Sequence, residues 1–338
     1  MALVLSLTGC EEMFVREIDF TAEKEPEMLV LSGSNLIGLP PAFQIFHSFF
    51  FGHTPPTPKN VGGVSDAEVT IRVNSGEWMQ LFPSSANGYS YSRLADGSTA
   101  PALMPLDTVE INVSHPEYPT LTGYQVMPDY VNGRYVSIHV QPNFWVDITI
   151  ELDPYQGNED DVIGITFTDG TISLTGPNTK KPLTLQITGL YSVDPVFAKA
   201  INMSSGGYYG GMMDDPLFFP ASELQQTRQI HLIADAQWGG RNKDWYNHCD
   251  LKSMTLNLRA YTRDAYLFTQ SKRLLLDREE YLAPPSDIED ADENIMQDIL
   301  DDLKEVLGDQ EPVQVYTNVQ GGLGHLCGHS NKALRLPK

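Results

Sequence analysis

Residues 65–73 read Ser-Asp-Ala-Glu-Val-Thr-Ile-Arg-Val, so Ala67, Val69, Ile71 and Val73 occupy every second position. A period of two places these four side chains on one face of an extended strand and the polar residues on the other. The pattern returns at 108–113, where Val109, Ile111 and Val113 share a face. Turn formers separate such runs: Asn87-Gly88, Pro116, Pro119, and many more among 27 glycines and 23 prolines. Short alternating segments joined by tight turns predict a mainly β protein.

The 338 residues suggest about two domains. Strands expected at 29–33, 65–73, 89–91, 108–113 and 121–126 form an N-terminal Ig-like or transthyretin-like β-sandwich over 27–128. The aromatic run from Phe43 to Phe51 reads as core, because exposed apolar patches of that size are uncommon. A larger β-rich domain follows over 129–338, with strands expected at 135–140, 144–150, 162–167, 183–187, 230–233 and 256–261. Residues 194–203 suggest a short helix, and 206–211 a glycine-rich loop.

One amphipathic helix is expected at about 287–307, with Ser286 and Glu289 as capping box and Gly308 as stop. It is strongly acidic: eleven carboxylates stand between Asp287 and Glu311 against the single Lys304. A second helix is expected over 266–275.

The net charge is −22. That field repels phosphate backbones, so nucleic acid is not an expected partner. Of the cysteines, Cys249 and Cys327 are either two thiols or one disulfide, and Cys10 stands apart. Residues 2–9 form an apolar run ending in Leu7-Thr8-Gly9-Cys10, which resembles a bacterial lipoprotein signal and its lipobox. The run is short and lacks a basic start, so residues 1–10 read as a signal whose beginning lies further upstream. Cys10 is then the lipidation site. Glu11-Glu12 behind it resemble a surface-export signal, placing the protein in the outer membrane, lipid-anchored and facing the cell surface.

Chemistry-bearing motifs are few. Asp290, Asp292, Asn294, Asp298 and Asp301 fall on calcium-loop positions, but Ile295 stands where that loop needs glycine, and the same stretch carries the helical pattern. Asn158-Glu159-Asp160-Asp161 is another carboxylate-rich turn. His325, Cys327 and His329 are candidate metal ligands, with His248-Cys249 as further donors, although paired zinc spacing is missing. No serine-elbow, zinc-protease, phosphate-loop or dinucleotide motif is present, and Ser204-Ser205 lacks such a context. No catalytic residue or cofactor is therefore expected.

Several separated segments resemble the Bacteroidota outer-membrane lipoproteins grouped as domain of unknown function 4249. They are the lipobox, Leu29-Val30-Leu31-Ser32-Gly33, the run from Val64 to Ile71, and the stretch from Ile111 to Thr120. The most specific is Glu311-Pro312-Val313-Gln314-Val315-Tyr316-Thr317-Asn318-Val319-Gln320-Gly321-Gly322-Leu323-Gly324. The resemblance implies a cell-surface or periplasm-facing lipoprotein serving as an accessory binding component of a TonB-dependent transporter, with no catalytic residues. A fimbrial subunit assembled by strand donation is the structural alternative. A carbohydrate-active hydrolase with dispersed acids is the enzymatic one, with Tyr208, Tyr209 and Trp238 as cleft aromatics.

Overall fold

The computed structural model describes residues 27–48, 63–84, 89–141, 145–175, 183–199, 209–212, 216–235, 248–271 and 316–336, and the alternating segments are strands. The N-terminal part contains β1 (Leu29–Leu36), β2 (Phe43–His47), β3 (Glu68–Val73), β4 (Met79–Pro83), β5 (Ser90–Arg93), β6 (Thr108–His115) and β7 (Tyr118–Val126). Val69 and Ile71 of β3 are fully buried opposite Val113 and Ile111 of β6. Phe43 and Ile45 complete that core from β2, so the described start of the aromatic run is core as expected. Phe49 to Phe51 lie outside the described residues.

The chain continues through β8 (Gly133–Val140), β9 (Trp145–Leu152), β10 (Val162–Thr175), β11 (Leu183–Gln186), β12 (Gly189–Ser192), β13 (Tyr209–Met212), β14 (Leu217–Pro220), β15 (Arg228–Asp235), β16 (His248–Tyr261) and β17 (Leu323–Arg335). A five-stranded sheet runs β13-β12-β15-β9-β8. Its buried face, including Ile148, Ile150, Ile230 and Leu232, packs against Ile163, Ile165, Leu256 and Leu258 of β10 and β16. Two sheets enclosing one apolar layer make this part a sandwich.

The two parts share β17. Its first half pairs parallel with β1, and its second half pairs antiparallel with β16. Leu326 of β17 is buried in the N-terminal core. That core therefore takes a strand from the far end of the sequence, which a contiguous 27–128 unit lacks. The N-terminal sheet curls from β17 and β1 round to β7, where Thr122 and Gln320 exchange two backbone hydrogen bonds of 2.9 Å. The bridge draws the last strand back to the first and leaves that edge little room to pair with another chain.

Gly321 (φ +74°) and Gly324 (φ +106°) make this closure possible. A β-carbon at Gly324 would lie 1.9 Å from the Leu31 carbonyl oxygen, and one at Gly321 would lie 2.0 Å from that of Thr120. Both a left-handed backbone and a bare α-carbon are needed there.

Several local expectations change. The helix expected at 194–203 is a 3₁₀ turn over Pro195–Lys199, held by Val196 N–H donating to Asp194 Oδ1 and by burial of Val196 and Phe197. The expected loop at 206–211 is, where described, part of β13 paired with β12. The strand expected at 162–167 runs on to Thr175, because a register shift absorbs the Thr-Asp-Gly punctuation at 168–170. Residues 263–271 are helical, beginning earlier than expected. Thr262 caps that helix: its Oγ1 accepts the Ala265 N–H and its carbonyl accepts that of Tyr266. The acidic helix at 287–307 and its calcium-like positions lie outside the described residues.

Candidate functional site

Side chains on the outer face of β3, β6 and β7 are those the core alternation leaves over. Their register makes two rows. Arg72 stands opposite Glu110, which stands opposite Tyr124; Thr70 stands opposite Asn112, which stands opposite Thr122, with Gln320 beyond. Arg72 donates to both Glu110 carboxylate oxygens, at 3.0 Å from Nε and 2.5 Å from Nη2. The same guanidinium lies over the Trp78 ring, 4.9 Å from its centroid. Trp78 and Tyr124 flank a groove of about 380 Å3, with Glu110, Asn112, Thr122 and Gln320 among its lining residues. Trp78 is 47% exposed and Tyr124 58%, values that exclude core packing as their role.

Asn112 Oδ1 is buried beneath the groove surface without a hydrogen-bond partner. Both oxygens of Glu110 are occupied by Arg72, and among the described residues it is the only charged one lining the groove. A single carboxylate so held is poorly suited to acid–base work. The arrangement can bind: two aromatic faces, with amide and hydroxyl groups between them.

Behind one end of the groove, the segment before β17 is clamped to the helix at 263–271. Tyr316 OH donates to Asp264 Oδ1 at 2.5 Å, and Asn318 Nδ2 donates to Asp264 Oδ2 at 3.0 Å. Asn318 also pairs with Leu326, donating to its carbonyl at 2.7 Å and accepting its N–H at 2.8 Å. Burial, then the bond to Asp264, pushes the Tyr316 phenol up to about 12.

His325, Cys327 and His329 share one face of β17, as their spacing requires, but the structure sends them to different neighbours. His325 stacks on Phe268 with ring centres 3.6 Å apart, and His329 stacks on Tyr261 at 6.2 Å. Burial, helped by the Asp264 charge, pushes the Cys327 thiol up to about 12. Burial, with Arg259 nearby, holds His329 below the usual imidazole range. A thiol kept from ionising and two imidazoles wedged against separate rings make an inert packing surface. Among the described residues, no group of three or more His, Cys, Asp or Glu is placed to hold a metal ion.

The distance to His248 and Cys249 is decisive as well. Tyr261 pairs with His329, and Cys249 lies twelve residues back along β16, about 40 Å of strand. A disulfide needs its α-carbons within about 7 Å, so Cys249 and Cys327 do not form one. Cys327 is a free, buried thiol.

A second cleft, about 330 Å3, contains His47, Asp66, His115 and Tyr118. His115 Nδ1 accepts the Glu117 N–H at 3.1 Å, so its Nε2 carries the proton toward Asp66 Oδ1, 3.3 Å away. Tyr118 lies between the two imidazoles, 6.0 Å from His47 and 5.0 Å from His115. These ring contacts fasten the β6–β7 hairpin to β2.

A family model described as domain of unknown function (DUF4249) matches residues 15–335. The chain belongs to that family. No curated protein matches the sequence. Tyr316, Asn318 and the glycines at 321, 322 and 324 all belong to the stretch that most resembles the family's C-terminal signature. Their contacts supply a physical reason for it: this stretch anchors β17 and closes the N-terminal sheet.

Of the other residues singled out in the sequence, Cys10, Ser204, Ser205, Tyr208 and Trp238 lie outside the described residues, while Tyr209 lies on β13. Asn158 to Asp161 form a turn closed by the Asp161 N–H on the Asn158 carbonyl. The Trp78–Tyr124 groove went unforeseen. Its signal is an aromatic at the polar parity of an alternating strand: Tyr124 lies in phase with Thr122, out of phase with Leu121.

Proposed function

We propose that this chain is a lipid-anchored, ligand-binding protein of the outer membrane, accessory to a TonB-dependent transporter. The observation that carries the binding role is the groove, where two exposed aromatics flank uncommitted polar groups. The Leu7-Thr8-Gly9-Cys10 lipobox supports anchoring at Cys10, and Glu11-Glu12 support surface display. The transporter partnership rests on the resemblance to Bacteroidota lipoproteins. Among the described residues no helix is long and apolar enough to cross a membrane. In this reading the acyl chains of Cys10 hold the protein at the membrane.

The test is affinity capture of the acylated protein from detergent-solubilised outer membranes, followed by mass spectrometry. A stoichiometric TonB-dependent barrel is the expected companion. Cys10→Ala should move the protein to the soluble fraction and reduce that companion's recovery. Capture of the protein alone, or as ladders of itself, would count against the accessory role, and ladders would favour a fimbrial subunit.

A further inference from the structure

We infer that the groove between Trp78 and Tyr124 binds a neutral carbohydrate, a conclusion that rests on the ligand-binding role proposed above and names its ligand class. Three features select that chemistry. First, both aromatics remain largely exposed, Tyr124 on β7 and Trp78 in the segment leading into β4, and Arg72 lies across one face of the Trp78 ring. A rigid, half-covered ring offers its other face to a flat apolar surface such as the C–H face of a sugar ring. Second, Asn112, Thr122 and Gln320 line the groove alongside them. Amides and hydroxyls both donate and accept, as vicinal sugar hydroxyls do.

Third, the charge pattern rules against other classes. Among the described residues Glu110 is the sole charged one lining the groove, and Arg72 neutralises it through two hydrogen bonds. An anionic ligand would find no unpaired cation there and would enter the field of a chain of net charge −22. A cationic ligand would have to displace a bidentate guanidinium. An extended peptide adding to β7 would meet Thr122 already bonded to Gln320. The two strand spacings from β3 to β7, about 10 Å, suit a ligand of a few rings.

The experiment is calorimetric titration of the full acylated chain, in a sugar-free detergent, with maltohexaose, cellohexaose, xylohexaose, laminarihexaose and mannohexaose, and with a galacturonic acid oligomer as the charged comparison. At least one neutral oligosaccharide should bind, and the galacturonic acid oligomer should not. Trp78→Ala and Tyr124→Ala should each weaken that binding about tenfold or more. Both residues are exposed, so an unchanged denaturation midpoint should accompany the loss. Absence of binding by every neutral oligosaccharide, or equal binding by both variants, overturns the inference. If the double variant loses a co-purifying barrel while no sugar binds, the groove is a protein-docking face. The carbohydrate inference then fails and the accessory role stands. If sugar binds and no barrel co-purifies, the reverse holds.

Discussion

At the scale of single residues, two glycines with left-handed backbones separate conformational strain from steric exclusion. Gly97 (φ +81°) has nothing within 4 Å of an added β-carbon, whereas Gly324 would place one on the Leu31 carbonyl. Gly97→Ala should reduce stability by about 1 kcal/mol. Gly324→Ala should reduce it by at least about 3 kcal/mol, since β1 and β17 must separate for the methyl to fit. Urea denaturation of the two variants side by side checks the difference.

Asp161 makes a pH prediction at the same scale. It is 4% exposed, and burial raises its carboxyl to about 6 although Tyr155 OH and the Asn158 N–H both donate to it. Its ordinary value is 3.8. Between those two values the native state holds a proton that the unfolded chain has released. This contribution to stability is therefore full below about pH 4, falls as pH rises, and is gone above about 6. Asp161→Asn should abolish it. The stability of that variant relative to the native sequence should rise by about 3 kcal/mol between pH 4 and pH 7. Chemical denaturation across the range would show a parallel pair of curves if Asp161 is not responsible.

At the scale of elements, the segment from Tyr316 to Gln320 behaves as a latch. Asn318 holds it from both sides, to Asp264 on the helix and to Leu326 on β17. Asn318→Ala should reduce stability by about 2–3 kcal/mol, because three bonds go and a half-buried carboxylate oxygen loses a donor. It should also raise the labelling rate of Cys327 by a thiol reagent under native conditions, since opening the latch exposes a thiol now only 2% accessible. Faster global unfolding alone would raise amide exchange everywhere, whereas a local latch raises it only along β17 and β1.

At the scale of the whole molecule, β17 couples the two parts. One continuous strand pairs with β1 in one core and with β16 in the other. Thermal unfolding should therefore be a single transition followed equally by probes in either part, and two resolved transitions would refute the coupling. The outer face of β3, β6 and β7, where we place ligand binding, lies on the opposite side of the sheet from that core. Trp78→Ala and Tyr124→Ala should leave the transition unmoved.

Alternation with a period of two determined the β class, the inward faces of β3 and β6, and the outward parity of Asn112, Thr122 and Tyr124, because pleating alone assigns side chains to faces. Turn formers determined where most strands stop. The exceptions, Asp169-Gly170 and the glycines before Met212, are places where a neighbouring strand supplies the pairing that local propensity does not. Only the tertiary structure decided that the last strand completes the first core, that Trp78 meets Arg72 and Glu110 beside Tyr124, and that Cys327 lies about 40 Å of strand from Cys249. Each depends on which strands become neighbours across hundreds of residues, and spacing along the chain carries no record of that choice.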